Sequence, residues 1–443
     1  IGVTGVQTCA LPIWPSRSSR WGAGAGAIDI HGQSEQLGIL KPAVQVRVLD
    51  RYAGLSGDQE AVATLAAARG ALLPTHPPIR AALAELAQRD ARAIALIEGS
   101  RQLDRGELEL RVRVLAERLR HAGLAPGQLV ALVALRRLEW VIALLALLEL
   151  GVGCLGIDPS EAPARVRGLL DEAGIRRVLG PAALAVPAAL EHIAWEHDAS
   201  AALPELGPLT SHACAFAFAT SGSTGKPKLV TLSEAAIADY CFAAIECYGL
   251  REGDRSVLFS SLTFDACLEE LFPVLLAGGA VVLRDDDMLE PRALLAACRE
   301  QRVSVLGLPT AYLQAGLDDW QVPPSLRVLI VGGERLSGAA VQAWQRVAPG
   351  VALYNTYGPT ESAIVATIAR VDTLAPDVIS ELGVPIGRPR AGARVYVLDE
   401  RFEPCPPGMV GELMIAGPCL AEGYLARPAL TAASFVPNPH DGA

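Results

Sequence analysis

Residues Ala215 to Lys228 read Ala-Phe-Ala-Phe-Ala-Thr-Ser-Gly-Ser-Thr-Gly-Lys-Pro-Lys. The run Ala215 to Ala219 has the length and apolar character of a buried strand, and it ends in a string of small hydroxyl residues and glycines. Glycine lets a backbone approach a bulky anion closely, and backbone N–H groups, hydroxyls and a lysine can share the charge of a polyphosphate. Thr220, Ser221, Gly222, Ser223, Thr224, Gly225 and Lys228 supply that set. The string is not a Walker loop, which needs Gly where Thr220 stands and Ser or Thr where Pro227 follows Lys226.

The pattern around this loop alternates short apolar runs with helical spacing. Strands are expected at Leu129 to Leu135, Gly153 to Ile157, Ser256 to Ser260, Ala280 to Leu283, Val303 to Leu308 and Val328 to Val331. Helices are expected at Ile79 to Gln88, Arg111 to His121, Arg136 to Leu150, Asp265 to Leu276, Pro291 to Gln301 and Gly338 to Val347. Ser160 is placed as the cap of a further helix running to about Ala173, with Pro163 in its first turn. Such alternation means an α/β fold with parallel-rich sheets flanked by helices. Arg394 to Leu398 and Glu412 to Ile415, among Pro- and Gly-rich turns, add a smaller β-rich portion.

Composition narrows the function classes. Hydrophobic residues make up 51% and charged residues 19%, enough for a sizeable core. A net charge of −10 argues against a nucleic-acid-coating surface but leaves room for a phosphate-bearing small molecule in a local loop. Nine cysteines without a C-x-x-C spacing read as reduced core residues of a cytosolic (cytoplasmic) protein. His192 and His197 are not at metal spacing. The apolar run Trp140 to Ile157 is broken by Glu149, Gly151 and Gly153, so a buried helix leading into a strand is expected and no membrane span. Gly151 to Gly156 matches G-x-G-x-x-G, but a helix precedes it and a strand follows, the reverse of a dinucleotide site. Residues 1 to 60 show no sustained period, and Val3 to Ile13 resembles a translated sequencing-adapter oligonucleotide; this region is expected to be artefact or disordered linker, adding little to the fold.

The loop Thr220 to Lys228 resembles the phosphate loop of the adenylate-forming, AMP-binding superfamily. Further segments resemble that superfamily in order: Leu150 to Asp158, Phe264-Asp265 with Glu270, Gly332-Gly333-Glu334, Asn355-Thr356-Tyr357-Gly358-Pro359-Thr360-Glu361, Gly411-Glu412-Leu413, and Gly423-Tyr424 with Arg427-Pro428. The Asn and Pro of the Asn355 to Glu361 segment favour the adenylation domains of nonribosomal peptide synthetases. Leu229, Glu234 and Glu422 depart from the usual Gly, His and Arg. The resemblance implies the large N-terminal core of these enzymes over residues 77 to 443. The ribose-binding Asp, the hinge and the lid domain with its catalytic lysine would come later, so this stretch alone is expected to bind ATP–Mg2+ weakly and to complete adenylation poorly.

The resemblance also implies roles. Thr220, Ser221, Gly222, Ser223, Thr224, Gly225 and Lys228 would hold the phosphates. Gly333, Glu334 and Asn355 would line adenine, with Tyr357 stacked on it, and Gly358 would belong to the same cofactor-binding set. Thr360 would contact phosphate, and Glu361 would ligate Mg2+; Lys228, Thr360 and Glu361 would form the catalytic set. Asp265, Ala266, Glu269, Gly307, Ile330, Gly332, Thr356, Ile364 and Val365 would line the amino-acid pocket, with Asp265 pairing the α-ammonium. Glu269 lies four residues on, so both acids project from one helical face. A second pocket carboxylate favours a basic, lysine- or ornithine-like substrate, and Gly307 and Gly332 would leave depth for it. The implied reaction is ATP-dependent formation of an aminoacyl adenylate. Its acceptor would be a phosphopantetheine carrier domain, with condensation domains beyond. The competing readings are an acyl- or aryl-acid ligase of the same superfamily and a non-catalytic nucleotide-binding fragment.

Overall fold

The computed structural model describes residues 76–440 apart from 185–186, 188, 197–213, 221–226 and 318–319. Residues 1–60 lie outside the described residues. The strand Leu129–Val133, the helix Leu138–Leu150 and the strand Gly153–Ile157 form one unit, the strands parallel with Leu129 opposite Gly153. The helix is buried from Leu138 through Leu148 on almost every side, as one so apolar must be. Gly151 ends it in the left-handed conformation at φ +66°, so the glycine-rich stretch is a helix-to-strand turn. No helix among the described residues is long and apolar enough to cross a membrane.

This unit is the centre of a sheet of seven described strands. Their spatial order is Gly423–Tyr424, Lys228–Leu232, Phe216–Thr220, Gly153–Ile157, Leu129–Val133, Arg177–Gly180 and Glu191–Ala194. Lys228–Leu232 returns antiparallel on Phe216–Thr220, bringing Lys228 opposite Thr220. A second sheet runs Val305–Pro309, Val328–Gly332, Ala352–Tyr357, Thr367–Arg370 and Arg388–Pro389; its first three strands are parallel and the rest antiparallel. A third holds Arg101–Asp104, Ile94–Glu98, Ala280–Leu283 and Arg255–Leu258. Arg394–Leu398 and Glu412–Ala416 make the β-rich portion, an antiparallel ribbon.

Side-chain alternation along Val328–Gly332 divides the interior. Ile330 joins a core with Tyr354, Ile364, Val365 and the helices Glu234–Tyr248 and Ala266–Leu276. Leu329 and Val331 join a second core on the opposite face, with Leu306, Leu353 and Trp344.

Several boundaries differ from the sequence expectation: the helix expected from Arg111 starts at Arg105, the strand expected to reach Leu135 stops at Val133, and the strand expected from Val303 runs Val305–Pro309. Three further differences have an identifiable hydrogen-bonding reason. Ser160 does not cap a helix: its N–H and hydroxyl both donate to Asp158 Oδ1, and the helix Pro163–Glu172 starts from Ala162. The strand expected to reach Ser260 stops at Leu258, because the N–H groups of Phe259 and Ser260 donate to the Glu270 carboxylate instead. The helix expected from Arg136 starts at Leu138, while the Arg136 guanidinium binds the carbonyls of Leu258, Phe259 and Ser260.

Candidate functional site

Lys228 opens the strand that follows the glycine-rich loop, and Glu361 sits in a 3-10 turn, Thr360–Ser362, after the strand Ala352–Tyr357. The fold brings them together. Lys228 Nζ donates to Glu361 Oε1 at 2.6 Å and to the Tyr424 hydroxyl at 2.8 Å, and that hydroxyl donates to the same Glu361 oxygen at 2.7 Å. The ammonium also lies 4.3 Å from the Tyr424 ring centroid. Burial works against the charged lysine, but the Glu361 charge and the two hydrogen bonds outweigh it, so the Lys228 pKa is raised. Of the loop itself, Thr220 is placed opposite Lys228, and Ser221, Gly222, Ser223, Thr224 and Gly225 lie outside the described residues.

A magnesium-bound triphosphate, the ligand the resemblance implies, fits this donor set. Mg2+ takes hard carboxylate oxygens and commonly needs only one or two from protein when phosphates supply others. Glu361 offers one, about one-fifth exposed, beside an ammonium able to meet a phosphate.

The adjoining segments are tightly determined. Asn355 is buried and donates its amide to the Pro385 carbonyl at 2.8 Å. Tyr357 packs with Ile386 and Leu413, and its buried hydroxyl has no hydrogen-bond partner among the described residues. Gly333 holds φ +84° and Glu334 is exposed beside it. Gly358 must be glycine, because a Cβ there would meet the backbone of Ile364 and Val365. That chain returns through Ala363 and Ile364 at φ +52° and +74°, a left-handed conformation costly for a β-branched residue.

Asp265 stands at the N-terminal end of the helix Ala266–Leu276, and Ala266 and Glu269 occupy its first turn. Burial pushes the Asp265 carboxyl up to about 6, against the pull of a hydrogen bond from the Thr360 side chain; the nearby Glu361 charge adds to the rise. Glu269 Oε1 accepts from the Tyr240 hydroxyl at 2.5 Å and from Tyr248 at 3.4 Å. Burial pushes its pKa up to about 7 despite the Tyr240 bond. Glu270 points elsewhere, to the N–H groups of Phe259 and Ser260 and the Ser260 hydroxyl at 2.6 Å.

Gly307 and Ile330 are in register on neighbouring strands. The expected depth over the two glycines is already occupied. A Cβ on Gly307 would lie 3.1 Å from Glu270 Cγ, and one on Gly332 would collide with Thr356 Oγ1, which itself donates to the Val331 carbonyl. Both glycines therefore admit a neighbouring protein side chain. Ile330, Ile364 and Val365 are buried in one core.

Sequence reasoning missed Tyr240, Tyr248 and the role of Tyr424. The two tyrosines are eight positions apart on the helix Glu234–Tyr248, hence on one face, but nothing local to Glu269 announces them. Glu234, where the resemblance expected His, serves the fold: its Oε1 accepts the Ile79 N–H at 2.8 Å at the start of the helix Ile79–Arg89.

Comparison with known proteins identifies the family. Residues 83–425 match the AMP-binding enzyme family. Novobiocin biosynthesis protein H of Streptomyces niveus is 36% identical over 386 residues, covering 83% of this chain and 62% of that protein. Tyrocidine synthase 3 of Brevibacillus parabrevis is 33% identical over 380 residues, 83% of this chain and 6% of that protein. The chain thus spans less than two thirds of either relative. Among solved structures, the nonribosomal peptide synthetase FmoA3 superposes with a TM-score of 0.77 at 26% identity, over 87% of this chain and 42% of that one. The N-terminal subdomain of Klebsiella oxytoca NpsA, in complex with 3-hydroxybenzoyl-AMSN, superposes at 0.76 over 83% of this chain and 94% of that one; at 24% identity this likeness concerns the fold. The chain belongs to the AMP-binding enzyme family and carries the large N-terminal core of its adenylate-forming fold.

Proposed function

We propose that this chain is the core of a peptide-synthetase adenylation domain that activates a basic amino acid, lysine- or ornithine-like, as its aminoacyl adenylate. In that reaction a substrate carboxylate oxygen attacks the α-phosphorus of ATP, the new O–P bond forms, and the bond to pyrophosphate breaks. Lys228 and the loop before it neutralise phosphate charge, and Glu361 would hold Mg2+ through a carboxylate oxygen, the metal when bound supplying further stabilisation of charge on the phosphates. Asp265 faces the α-ammonium. The adenylate then passes to the phosphopantetheine thiol of a carrier domain, with condensation domains as later partners.

One observation carries the substrate class. Glu269 stands one helical turn from Asp265, and its partners among the described residues are two tyrosine hydroxyls rather than a cation. A buried carboxylate without a counter-charge is costly, and a cationic side chain removes that cost. Leucine or an aryl acid does not.

The test is a binding panel by calorimetry with lysyl-, ornithyl-, leucyl- and salicyl-sulfamoyl adenosine on the whole chain. The basic analogues should bind tightest. Tighter binding of the leucyl compound would sink the basic substrate, and tighter binding of the salicyl compound would favour an aryl-acid ligase.

A further inference from the structure

Beside the Tyr240 ring lies a buried cation that is itself neither a phosphate-loop residue nor one of the pocket positions. Arg390 is 5% exposed. Its Nη1 donates to Asp239 Oδ2 and to the Ala391 carbonyl, both at 2.7 Å, and its Nε donates to the Val365 carbonyl at 2.7 Å. Nη2 is buried with no hydrogen-bond partner among the described residues, and the guanidinium carbon lies 5.4 Å from the centroid of the Tyr240 ring. Tyr240 follows Asp239 on the helix Glu234–Tyr248, is fully buried, and donates its hydroxyl to Glu269. Room is left for this arrangement: Gly392 sits at φ +81°, where a Cβ would collide with the Asp239 carboxylate.

A buried ion pair is weak evidence for stability, because apolar residues of similar volume often serve as well. A planar guanidinium offers direction instead, fixing several partners at once. Its partners here lie on what the proposed function makes two walls of one substrate pocket. One wall is the left-handed turn Ala363–Ile364 leading into Val365, a conformation that persists only when its surroundings hold it. The Arg390 N–H also donates to the Ala366 carbonyl at 3.0 Å, so backbone and side chain both grip that wall. The other wall is Tyr240 and, through it, Glu269.

We propose that Arg390, paired with Asp239, is a positioning residue for substrate selection: it holds the Val365 carbonyl and the Tyr240 ring so that the Tyr240 hydroxyl fixes the Glu269 carboxylate where it meets a side-chain ammonium. The inference rests on the basic substrate proposed above.

The experiment compares lysyl- and norleucyl-sulfamoyl adenosine, which differ in the terminal amine, by calorimetry on the whole chain, with a melting curve for each variant. Tyr240→Phe and Arg390→Lys should each cut the lysyl-to-norleucyl affinity ratio by about tenfold, the scale of one hydrogen bond to a charged group, and leave norleucyl binding within about twofold. Equal losses for both analogues, or an unchanged ratio in Tyr240→Phe, would overturn the positioning role. Tyr240→Phe removes a single oxygen and decides the matter even where Arg390→Lys does not fold. Glu269→Gln separates the two ideas. If it abolishes the preference and Tyr240→Phe does not, the basic substrate stands and the positioning role falls. A wild-type chain with no lysyl preference overturns both.

Discussion

Lys228 and Glu361, separated by 133 positions, meet at 2.6 Å, each about one-fifth exposed. In the proposed roles an incoming triphosphate and its metal would compete for both ends of this pair, the phosphates for the ammonium and the cation for the carboxylate. Without the metal, Glu361 remains a negative charge beside the phosphates. ATP should therefore bind the wild-type chain weakly in EDTA and about tenfold or more tightly with Mg2+. In Glu361→Gln the EDTA affinity should rise and the Mg2+ response should largely vanish. Titration calorimetry with ATP in both buffers checks this; an undiminished Mg2+ response in the variant would place the metal elsewhere.

Tyr424 bridges the same two residues through one hydroxyl. Tyr424→Phe keeps the ring beneath the ammonium and removes both bonds. The expected cost is about 1.5–3 kcal/mol in urea unfolding, the usual range for hydrogen bonds that include a charged partner. A variant as stable as wild type would mean that water replaces the hydroxyl fully.

At the start of the helix Ile79–Arg89, Glu234 takes the Ile79 N–H, and the 2% exposed Arg80 pairs with Glu109 at 2.7 Å and Glu149 at 2.9 Å. Glu234→Ala leaves a buried donor unsatisfied and should cost about 1–3 kcal/mol. Arg80→Met strands two acids and should cost about 3–5 kcal/mol. The order of the two losses in denaturant unfolding is the check.

Much of this architecture was legible in the sequence because it is local. Gly153–Ile157 and Ala280–Leu283 end where apolar runs meet Gly, Asp or Arg, and Gly338–Val347 follows the capping Ser337. Long-range hydrogen bonding was not legible. The Glu270 carboxylate ends a strand at Leu258, and Tyr240, 29 residues before Glu269, supplies the hydrogen bond that holds the Glu269 carboxylate. The sequence placed Asp265, Glu269, Lys228 and Glu361 in one site by resemblance. It could not show that Glu270 and Thr356 fill the space over Gly307 and Gly332.

Burial pushes the carboxyls of Glu234, Glu269 and Glu270 up to about 7 and that of Asp265 up to about 6. Their ordinary values are near 4 to 4.5. Between those limits the folded chain holds more protons than the unfolded one, so stability falls as pH rises. This contribution is fully present below the unfolded values and lost above about pH 7. The melting temperature should decline from about pH 5 to about pH 7.5, and Glu269→Gln should flatten the decline. Affinity for lysyl-sulfamoyl adenosine should rise over the same interval, because Glu269 must ionise to meet a cation. A melting temperature that climbs across this range would refute the assignment.

Gly307 and Gly332 lie on neighbouring strands, and their replacement by alanine should give different outcomes. The alanine methyl at position 307 would stand 3.1 Å from Glu270 Cγ, a flexible side chain that can give by a few tenths of an ångström. At position 332 it would collide with Thr356 Oγ1, with the Thr356 carbonyl oxygen at 3.2 Å behind it. Thr356 cannot move aside freely: it is β-branched, 4% exposed, and bonded to the Val331 carbonyl at 3.0 Å. Gly332→Ala must break that bond or shift the strand, and overpacking of this kind costs about 1–3 kcal/mol. Gly307→Ala should cost less than about 1 kcal/mol if Glu270 keeps its bonds to Phe259 and Ser260. Thr356→Ser, with its smaller side chain, should restore little to Gly332→Ala, since the colliding atom is the hydroxyl; Thr356→Val should restore little as well, because a methyl takes its place. Thr356→Ala should relieve the clash and recover much of the loss. Urea unfolding of the two single glycine variants and of Gly332→Ala/Thr356→Ala measures this, and a Gly332→Ala chain no less stable than Gly307→Ala would show that the second sheet yields where its packing says it should not.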